Sequence, residues 1–224
     1  MQGECDNEMS THSQSFSNLL LYFKIAPTLP LNALDWENVT AITLPSKFKQ
    51  SCFDSDDLET LLQVYDKMMP TPMLFGQLSK TINKYGIIQI FGMEYGSKHE
   101  YRSRRSTGII ASWPLDDGNI NDNSFRLYFG TVDYYFSHSL LKDGVYKKYL
   151  FACVTWYFPC QDTTFASFHP LYVASTQNTF PGGPSRFMPI QKLYSRCSYA
   201  TFQPGDSSEQ TRYIVTPFVR HFVS

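Results

Sequence analysis

The chain contains few charged side chains and no cysteine pattern that would build a disulfide framework. Asp, Glu, Lys and Arg make up only 17% of its 224 residues, whereas aromatic residues reach 16%. Its five cysteines are odd in number and include no Cys-x-x-Cys pair, so we expect a reducing compartment rather than a disulfide-stabilised secreted fold. A zinc site would have to combine Cys153, Cys160, His169 and Cys197, and this spacing matches no familiar zinc module. We therefore predict no metal and no other cofactor.

No stretch of the chain is apolar over the length needed to cross a bilayer as a helix. The first fifteen residues, MQGECDNEMSTHSQS, are polar and acidic, unlike a secretory signal peptide. They also lack hydrophobic periodicity, and we expect residues 1–15 to be disordered. The sequence thus favours a protein of the nucleus or cytoplasm that is neither secreted nor bound to a membrane.

Motifs of the common enzyme classes are missing as well. Neither the G-x-S-x-G elbow of serine hydrolases nor a phosphate-binding P-loop occurs. Cys153 beside His138 and Asp133 would be a nucleophile, but it lies in the most apolar segment, where cysteine usually serves packing. A metal-dependent nuclease would use Asp116, Asp117 and Asp133, yet Asp-Asp-Gly is typical of a turn. No catalytic residue is predicted, and binding is favoured over catalysis.

The strongest structural signal is a β-hairpin in the middle of the chain. Its arms, Arg126 to Leu141 and Val145 to Phe158, are dense in Tyr, Phe and Val. Such β-branched and aromatic residues suit a pleated strand. Between the arms, Lys142, Asp143 and Gly144 supply the Asp-Gly pair of a tight turn, in which glycine readily takes a positive φ.

One amphipathic helix is predicted before the hairpin, from Asp54 to Met69. Acidic residues crowd its first turn, where the helix dipole favours negative charge, and Pro70 stops it. Apolar side chains recur at i, i+3, i+4 and i+7, which places them in one stripe along the helix. A second short helix is considered over FGQLSKTINKYG, residues 75–86.

Further strands are predicted on both sides of the hairpin. Ala41 to Pro45 is a candidate edge strand, and Gly86 to Gly96 and Gly108 to Trp113 are apolar runs bounded by glycine. Arg186 to Cys197 and Arg212 to Phe222 are expected to pair with each other as an antiparallel hairpin around a Pro-Gly-Asp turn.

These elements define the predicted fold class. The chain is α+β but mainly β: a small, partly open antiparallel β-barrel, or a compact sandwich, with a helical N-terminal flank. The expected divisions are a disordered N-terminus over 1–15, a helical flanking segment over 16–80 and a β-barrel-like domain over 81–224.

Charge is divided unevenly along the chain. Residues 1–95 carry 6 basic and 11 acidic residues, and residues 96–224 carry 13 basic and 9 acidic. The most basic segment is SKHEYRSRRSTG, residues 97–108, which we interpret as a flexible loop that neutralises phosphates while its tyrosine stacks on an unpaired base. The alternative is a solvated loop without a partner, since the second part of the chain is only mildly basic. The predicted nucleic-acid-binding residues, which include two lysines of the hairpin, are Lys98, Tyr101, Arg102, Arg104, Arg105, Lys147 and Lys148.

An aromatic cage for a methylated lysine is the other binding hypothesis. Tyr and Trp rings attract a quaternary ammonium through their quadrupoles. Because side chains alternate along a strand, the strand residues cannot all face one cage, so two of them would have to combine with a loop aromatic such as Tyr101. The candidate cage residues are Trp113, Tyr128, Tyr134, Trp156 and Tyr157.

One series of short segments between about residues 80 and 197 consists of Tyr95-Gly96-Ser97, Trp113, Tyr135, Phe136, His138, Phe151 to Tyr157, His169-Pro170 and Pro189 to Leu193. This series resembles uncharacterised open reading frames associated with Helitron-like mobile elements of sponges, cnidarians and some fungi. The hairpin arrangement is also similar to bromo-adjacent homology (BAH) modules, which are β-barrel domains of chromatin proteins. The helicase and rolling-circle nuclease parts of such mobile elements have no counterpart here, so the resemblance implies an accessory or targeting domain.

These observations lead to three functional hypotheses. The first is a non-enzymatic binding module, derived from a mobile element, that contacts nucleic acid or chromatin through its basic loop. The second is a protein–protein interaction or assembly domain that uses Tyr-rich strands. The third is a metal-dependent nuclease or a cysteine-based enzyme.

Overall fold

Antiparallel strands account for most of the residues that the structure describes, and one α-helix among these residues lies against them. The computed structural model describes residues 42–69, 74, 76, 78–90, 92–99, 107–111, 128–142, 144–159, 172–176, 185–203 and 211–218. Within these ranges the strands before the central turn are β1 (Ile42–Thr43), β2 (Lys49–Cys52), β3 (Thr81–Tyr85), β4 (Ile87–Ile90), β5 (Met93–Gly96), β6 (Gly108–Ala111) and β7 (Tyr128–Lys142). The later strands are β8 (Val145–Trp156), β9 (Tyr172–Ser175), β10 (Phe187–Pro189), β11 (Leu193–Phe202) and β12 (Arg212–Pro217). The helix is α1 (Ser55–Met68), and a 3₁₀ turn over Ile190–Lys192 joins β10 to β11.

Helix α1 confirms the prediction made from its capping and apolar residues. The Asp54 carboxylate accepts a 2.8 Å hydrogen bond from the Asp57 backbone N–H and so caps the first turn. Lys67 lies in the last turn, where a cation complements the helix dipole. One face is buried through Leu58, Leu61, Val64, Tyr65 and Met68. No helix in the described ranges has both the length and the apolar character needed to traverse a membrane.

The central β-hairpin is confirmed and organises the main sheet. Strands β7 and β8 pair from Lys142 opposite Val145 to Gly130 opposite Trp156. Gly144 has a φ of 77°, the left-handed conformation that the tight turn requires. The register shifts once, around Asp133, where β7 has one more residue than β8.

Both edges of the hairpin carry further strands. The main sheet has the order β10-β8-β7-β6-β11-β12-β9, and β3, which itself pairs with β2, lies beside the second half of β7. All pairs between the named strands are antiparallel. The mainly β, antiparallel class is thus as predicted. A closed barrel is not formed by the described strands, since β9 and the end of β8 meet only at the bridge of Pro159 with Ala174 and a 2.8 Å hydrogen bond from Ser175 N to Phe158 O.

Strands β1, β4 and β5 form a smaller sheet. In the segment from β3 to β5, the structure differs from two predictions. The single strand expected from Gly86 to Gly96 is a hairpin, because Gly92 has a φ of 74° and reverses the chain between β4 and β5. Phe75 and Gln77 of the short helix considered over residues 75–86 lie outside the described residues, and its second half is instead strand β3 (Thr81–Tyr85) in the main sheet. Its TINKY sequence places buried Ile82 and Tyr85 among residues that pair with β2 and β7. Strand β1 overlaps the edge strand expected at Ala41 to Pro45.

The C-terminal strands pair with each other, as predicted, but over different residues. Cys197 to Phe202 of β11 lies opposite Arg212 to Pro217 of β12. The first half of the expected strand is separate: β10 pairs with β8, and the 3₁₀ turn interrupts the chain directly after Pro189. Proline cannot donate a ladder hydrogen bond, which is consistent with the end of β10 at this residue.

A large apolar core joins α1 to the main sheet. Its centre is a group of four aromatic rings from the segment before α1 and from β7, β8 and β10. Centroid separations of 5.1 Å connect Phe136 to Phe53, Phe151 and Phe187. Tyr65 of α1 packs edge-on against Phe151 at 5.5 Å. Such aromatic pairs contribute about 0.5–1.5 kcal/mol each beyond the area that they bury. Described residues of the predicted flanking segment (16–80) and of the predicted β-barrel-like domain (81–224) therefore belong to one core.

A second, smaller core lies among the other strands of the main sheet. Phe129 is fully buried there and stacks on Tyr157 at 5.1 Å. Tyr194, Tyr199 and Tyr213 pack around it. The buried members, each from a different strand or strand end, are Ile110, Phe129, Tyr157, Ala174, Cys197 and Val215.

Candidate functional site

The predicted basic loop begins at the bulge of β7. Lys98 Nζ lies 2.8 Å from Asp133 Oδ1, and Thr155 Oγ1 donates a 2.9 Å hydrogen bond to Asp133 Oδ2. The Lys98 backbone N–H also donates to Val132 O at 2.8 Å. An ion pair this exposed contributes at most about 1 kcal/mol. Lys98 is thus partly neutralised and serves to anchor the start of the loop, while Tyr101, Arg102, Arg104 and Arg105 lie outside the described residues.

The two hairpin lysines lie at the far end of β8 from this anchor. Lys148 is opposite Ser139, and Lys147 is opposite Leu140. Seven residues separate Lys148 from Thr155, which corresponds to about 23 Å along a strand. The hairpin lysines and the base of the loop are therefore not one compact patch.

The aromatic residues proposed for a cage do not converge. Tyr128 and Trp156 belong to the large core, with ring centroids 6.4 Å apart, and the Trp156 indole N–H donates to Ser185 O at 2.9 Å. Tyr157 belongs to the second core, where its hydroxyl lies 3.2 Å from Thr131 Oγ1. Trp113 lies outside the described residues. Adjacent residues on a strand face opposite sides, which is why Trp156 and Tyr157 separate.

Tyr134, the remaining cage candidate, already holds a cation of its own chain. Lys84 Nζ of β3 lies 4.1 Å from the Tyr134 ring centroid, a close cation–π contact. Burial, together with the nearby Cys153 thiol, raises the pKa of the Tyr134 hydroxyl well above its ordinary value. The ring is therefore a platform for Lys84 rather than an empty receptor.

Lys84 also faces a second lysine across the β2–β3 pair. Lys49 is its direct partner in the register, and like charges in this position repel. Lys47, Lys49 and Lys80 are exposed, and within the described part of the chain none of the three is paired with a carboxylate. The ring of Phe48, 55% accessible, lies 6.1 Å from that of Tyr85. Phe48 and Tyr85 are neighbours of Lys49 and Lys84 along the chain, so their side chains face the opposite side of the β2–β3 pair.

We call Lys47, Lys49, Lys80 and Lys84 the β2–β3 lysine surface. Sequence reasoning missed it, because its members lie in two short segments 30 residues apart that were predicted as irregular chain and as a helix. The signal available in the sequence was the repeated lysine spacing, KFK in one segment and KTINK in the other. Only the register brings Lys49 and Lys84 together.

Among the described residues, carboxylates are concentrated on the helix. The described residues outside α1 and its N-cap include twelve Lys or Arg but only two carboxylates, Glu94 and Asp133. Asp133 is paired with Lys98. The remaining five described carboxylates, Asp54, Asp56, Asp57, Glu59 and Asp66, belong to the helix or its cap. The described part of the sheet is therefore basic, whereas the helix that covers part of it is acidic.

Arg186 connects these two regions. Its Nη1 lies 3.1 Å from Asp57 Oδ1 at the start of α1, and its Nη2 donates to Cys153 Sγ at 3.6 Å. Burial raises the pKa of the Cys153 thiol, and this effect outweighs the opposing influence of the Arg186 charge. A buried thiol with a raised pKa is a poor nucleophile.

The residues considered as a catalytic triad have separate partners. The Ser79 carbonyl can only accept, so His138 Nε2–H donates to it at 2.9 Å and Nδ1 accepts from the Tyr65 hydroxyl at 2.8 Å. Burial lowers the pKa of His138, which favours the neutral ring. Since Cys153 contacts Arg186 and Asp133 binds Lys98, the geometry assembles no nucleophile–base pair.

The acidic and cysteine residues considered for a metal site do not assemble one in the described ranges. No cluster of three or more His, Cys, Asp or Glu side chains suited to a metal ion occurs there. Cys52, Cys153 and Cys197 are free thiols. Asp116, Asp117, Cys160 and His169 lie outside the described residues.

Comparison with known proteins leaves the candidate surface to be interpreted from its own chemistry. No protein-family model, curated protein or solved structure matches the chain.

Proposed function

We propose that this protein is a non-enzymatic nucleic-acid-binding module that contacts the phosphate backbone through the β2–β3 lysine surface and the predicted basic loop. The observation that carries the proposal is the direct opposition of Lys49 and Lys84, neither of which forms an ion pair with a described carboxylate. Opposed lysines cost the free protein stability, and a polyanion bound between them relieves that repulsion.

We propose a single-stranded or unpaired segment of nucleic acid as the ligand. Tyr101 of the predicted basic loop offers a ring on which an unpaired base can stack. The cation–π contact of Lys84 with Tyr134 restricts the ammonium group to one region of the sheet. A lysine held in place loses less side-chain entropy when it binds a phosphate.

The barrel-like fold and the cellular context belong to the same proposal. The second core is surrounded by strands whose two ends meet at Pro159 and Ala174, and this arrangement supports a partly open barrel as the functional unit. The resemblance to open reading frames of Helitron-like elements and to BAH modules supports an origin in a mobile element and a role on DNA or chromatin in the nucleus.

The proposal is tested by fluorescence anisotropy with labelled single- and double-stranded DNA and RNA at about 50 mM and 200 mM salt. We expect affinity to fall steeply with salt. Replacing Lys49 by Gln should weaken binding several-fold and reduce the slope of log K against log salt by about 1. The Arg102→Ala, Arg104→Ala and Arg105→Ala triple variant should reduce the slope by about 3.

A matched control separates a local contact from a general charge effect. Gln63 is exposed on α1, and Gln63→Glu lowers the net charge by one, as Lys49→Gln does. The Gln63 variant should leave the salt slope unchanged. Equal losses in both variants, or no binding of any nucleic acid at the lower salt concentration, would refute the proposal.

A further inference from the structure

The β2–β3 lysine surface continues across one face of the main sheet. Lys84 Nζ lies 4.1 Å from the ring centroid of Tyr134 on β7. Tyr134 is directly opposite Cys153 of β8, and residues in direct opposition have their side chains on the same face. Arg186, which precedes β10, donates from Nη2 to Cys153 Sγ at 3.6 Å. A chain of contacts thus leads from Lys84 to Arg186 over a single face of the sheet.

Lys49 extends this chain of contacts at its other end, since it lies opposite Lys84 on β2. The strands that the contacts cross follow one another in the order β2-β3-β7-β8-β10. Neighbouring strands are about 4.8 Å apart, so the path from β2 to β10 is about 19 Å long. We call Lys49, Lys84 and Arg186 the transverse basic row.

The base of the predicted basic loop lies beside the transverse basic row. Thr155 is two residues beyond Cys153 on β8, so both side chains face the same side of the sheet. Lys98 Nζ lies 3.4 Å from Thr155 Oγ1 and 2.8 Å from Asp133 Oδ1. The row therefore connects the β2–β3 lysine surface with the point at which the basic loop leaves the sheet.

The row is accessible to a ligand, and the groups between its ends are neutral. Lys49 is exposed, Lys84 and Tyr134 are partly exposed, and the Arg186 side chain is 52% exposed. Burial raises the pKa of both the Tyr134 hydroxyl and the Cys153 thiol, so neither is ionised near neutral pH. These two groups, which lie between the lysines and Arg186, therefore add no negative charge that would repel a phosphate.

Asp57 of α1 is a carboxylate that contacts the row. Its Oδ1 lies 3.1 Å from Arg186 Nη1, whereas the other terminal nitrogen of Arg186 binds only the Cys153 thiol, a weak acceptor. A phosphate oxygen is a far better acceptor for that nitrogen. Asp57 thus positions the guanidinium, but its own charge repels any phosphate that binds nearby.

We propose that a single strand of nucleic acid crosses the sheet along the transverse basic row, with one phosphate at Lys49 and Lys84 and another at Arg186. This inference rests on the proposed function. It adds the path of the strand and a binding residue, Arg186, that sequence reasoning did not identify. Cations at both ends of a path of about 19 Å suit a chain of phosphates better than one small anion. Asp57 is a positioning residue that limits the affinity.

The proposal is tested by fluorescence anisotropy with a labelled oligothymidine of about twelve nucleotides, titrated at several salt concentrations. Arg186→Gln should weaken binding several-fold and lower the slope of log K against log salt by about 0.7, the value for one phosphate contact with a single strand. Asp57→Asn should instead strengthen binding several-fold, because the repulsion between its carboxylate and the phosphates is removed.

Lys67→Gln is the matched control. It makes the same change of charge as Arg186→Gln, but Lys67 lies in the last turn of α1, about 15 Å along the helix from Asp57. This variant should leave the salt slope unchanged. Thermal unfolding verifies that each variant folds.

The opposite signs expected for Arg186→Gln and Asp57→Asn separate a ligand contact from a structural contact. The two residues are partners, so either substitution removes the same ion pair. If that ion pair served only to hold α1 against the sheet, both variants would change binding in the same direction. Covalent labelling adds a measurement that needs no variant: bound oligothymidine should slow acetylation of Lys49 and Lys84 and modification of Arg186 by phenylglyoxal.

The failure of this inference is distinguishable from the failure of the proposed function. Absence of binding to any nucleic acid would refute both. Binding that is weakened by Lys49→Gln but not by Arg186→Gln would leave the proposed function in place and overturn the path across the sheet, as would a shift in the same direction in the Arg186 and Asp57 variants. Displacement of the oligothymidine by polyglutamate at the same concentration of charge would also overturn the inference, since it would assign the row to an acidic protein partner.

Discussion

At the scale of single residues, His138 illustrates how burial determines chemistry. Both ring nitrogens are hydrogen-bonded, Nδ1 to the Tyr65 hydroxyl and Nε2 to the Ser79 carbonyl. Only 1% of the residue is accessible to solvent. Protonation would give Nδ1 a hydrogen, and the Tyr65 hydroxyl would then have to accept rather than donate. The histidine is thus a component of the core that links α1 to β7.

We predict that this histidine makes stability depend on pH. Its pKa in the folded protein is lowered, so the unfolded chain takes up the proton first. The stability that neutral His138 contributes is fully present above about pH 6.5, the pKa of an unfolded histidine, and is lost as pH falls through the lower pKa of the folded state. Urea unfolding from pH 8 to pH 5 measures this loss.

His138→Gln provides the control for this prediction. Glutamine cannot take up a proton in this range, so the variant should be less stable at pH 8 but should lose less stability on acidification. A constant difference in unfolding free energy between the two proteins across the range would contradict the assigned role.

At the scale of elements, a helix or hairpin could be predicted from the sequence where its own residues mark its beginning, its end or its turn. Asp54 caps α1, and Gly144 with its positive φ reverses the chain between β7 and β8, so both elements were predicted within one or two residues. The β4–β5 hairpin was read as one strand, because Gly92 between apolar residues could mark either a bulge or a reversal. Strand β3 was misread because its pairing with β2 and β7 decides its structure.

The candidate site was predictable only in part for the same reason. Lys147 and Lys148 were identified on the hairpin, and Lys98 at the start of a basic segment, from local charge. The opposition of Lys49 and Lys84 depends on a register between distant segments, and no local pattern contains that information. Neither does any local pattern predict that Asp133 at a β-bulge partly neutralises Lys98.

The N-cap of α1 supplies a prediction at this scale. Asp54→Ala removes the side-chain acceptor for the Asp57 N–H and should lower the unfolding free energy by about 1 kcal/mol. Asp54→Asn keeps a hydrogen-bond acceptor in the same place, so its unfolding free energy should fall much less. Denaturant midpoints of the two variants check this. Equal losses would indicate that the charge of Asp54, rather than its hydrogen bond, stabilises the helix.

At the scale of the whole molecule, the two cores share strands β6, β7 and β11. Tyr128 of β7 belongs to the large core and its neighbour Phe129 belongs to the second, because consecutive side chains face opposite sides of the sheet. The hairpin continues from one core to the other without a break in the chain. We therefore expect the described sheet to unfold as one cooperative unit.

Phe129→Ala tests this cooperativity. Deleting a fully buried phenylalanine should cost about 3–5 kcal/mol. The loss should appear as a lower midpoint of one transition, observed alike by far-UV circular dichroism and by tyrosine and tryptophan fluorescence. Leu141→Ala, at a position 53% exposed, should cost little. Two separate transitions in the Phe129 variant would show that the cores are independent.

The position of the long hairpin in the chain has a consequence for how the molecule acquires its shape. Strands β7 and β8 are adjacent in sequence, whereas β10, β11 and β12 are synthesised later. Contacts between neighbouring segments form fastest, so the hairpin is expected to nucleate folding during translation. Until β10 emerges from the ribosome, the outer edge of β8 at Phe151 to Cys153 lacks its strand partner, and the pairing of Phe187 with Cys153 then covers this part of the edge.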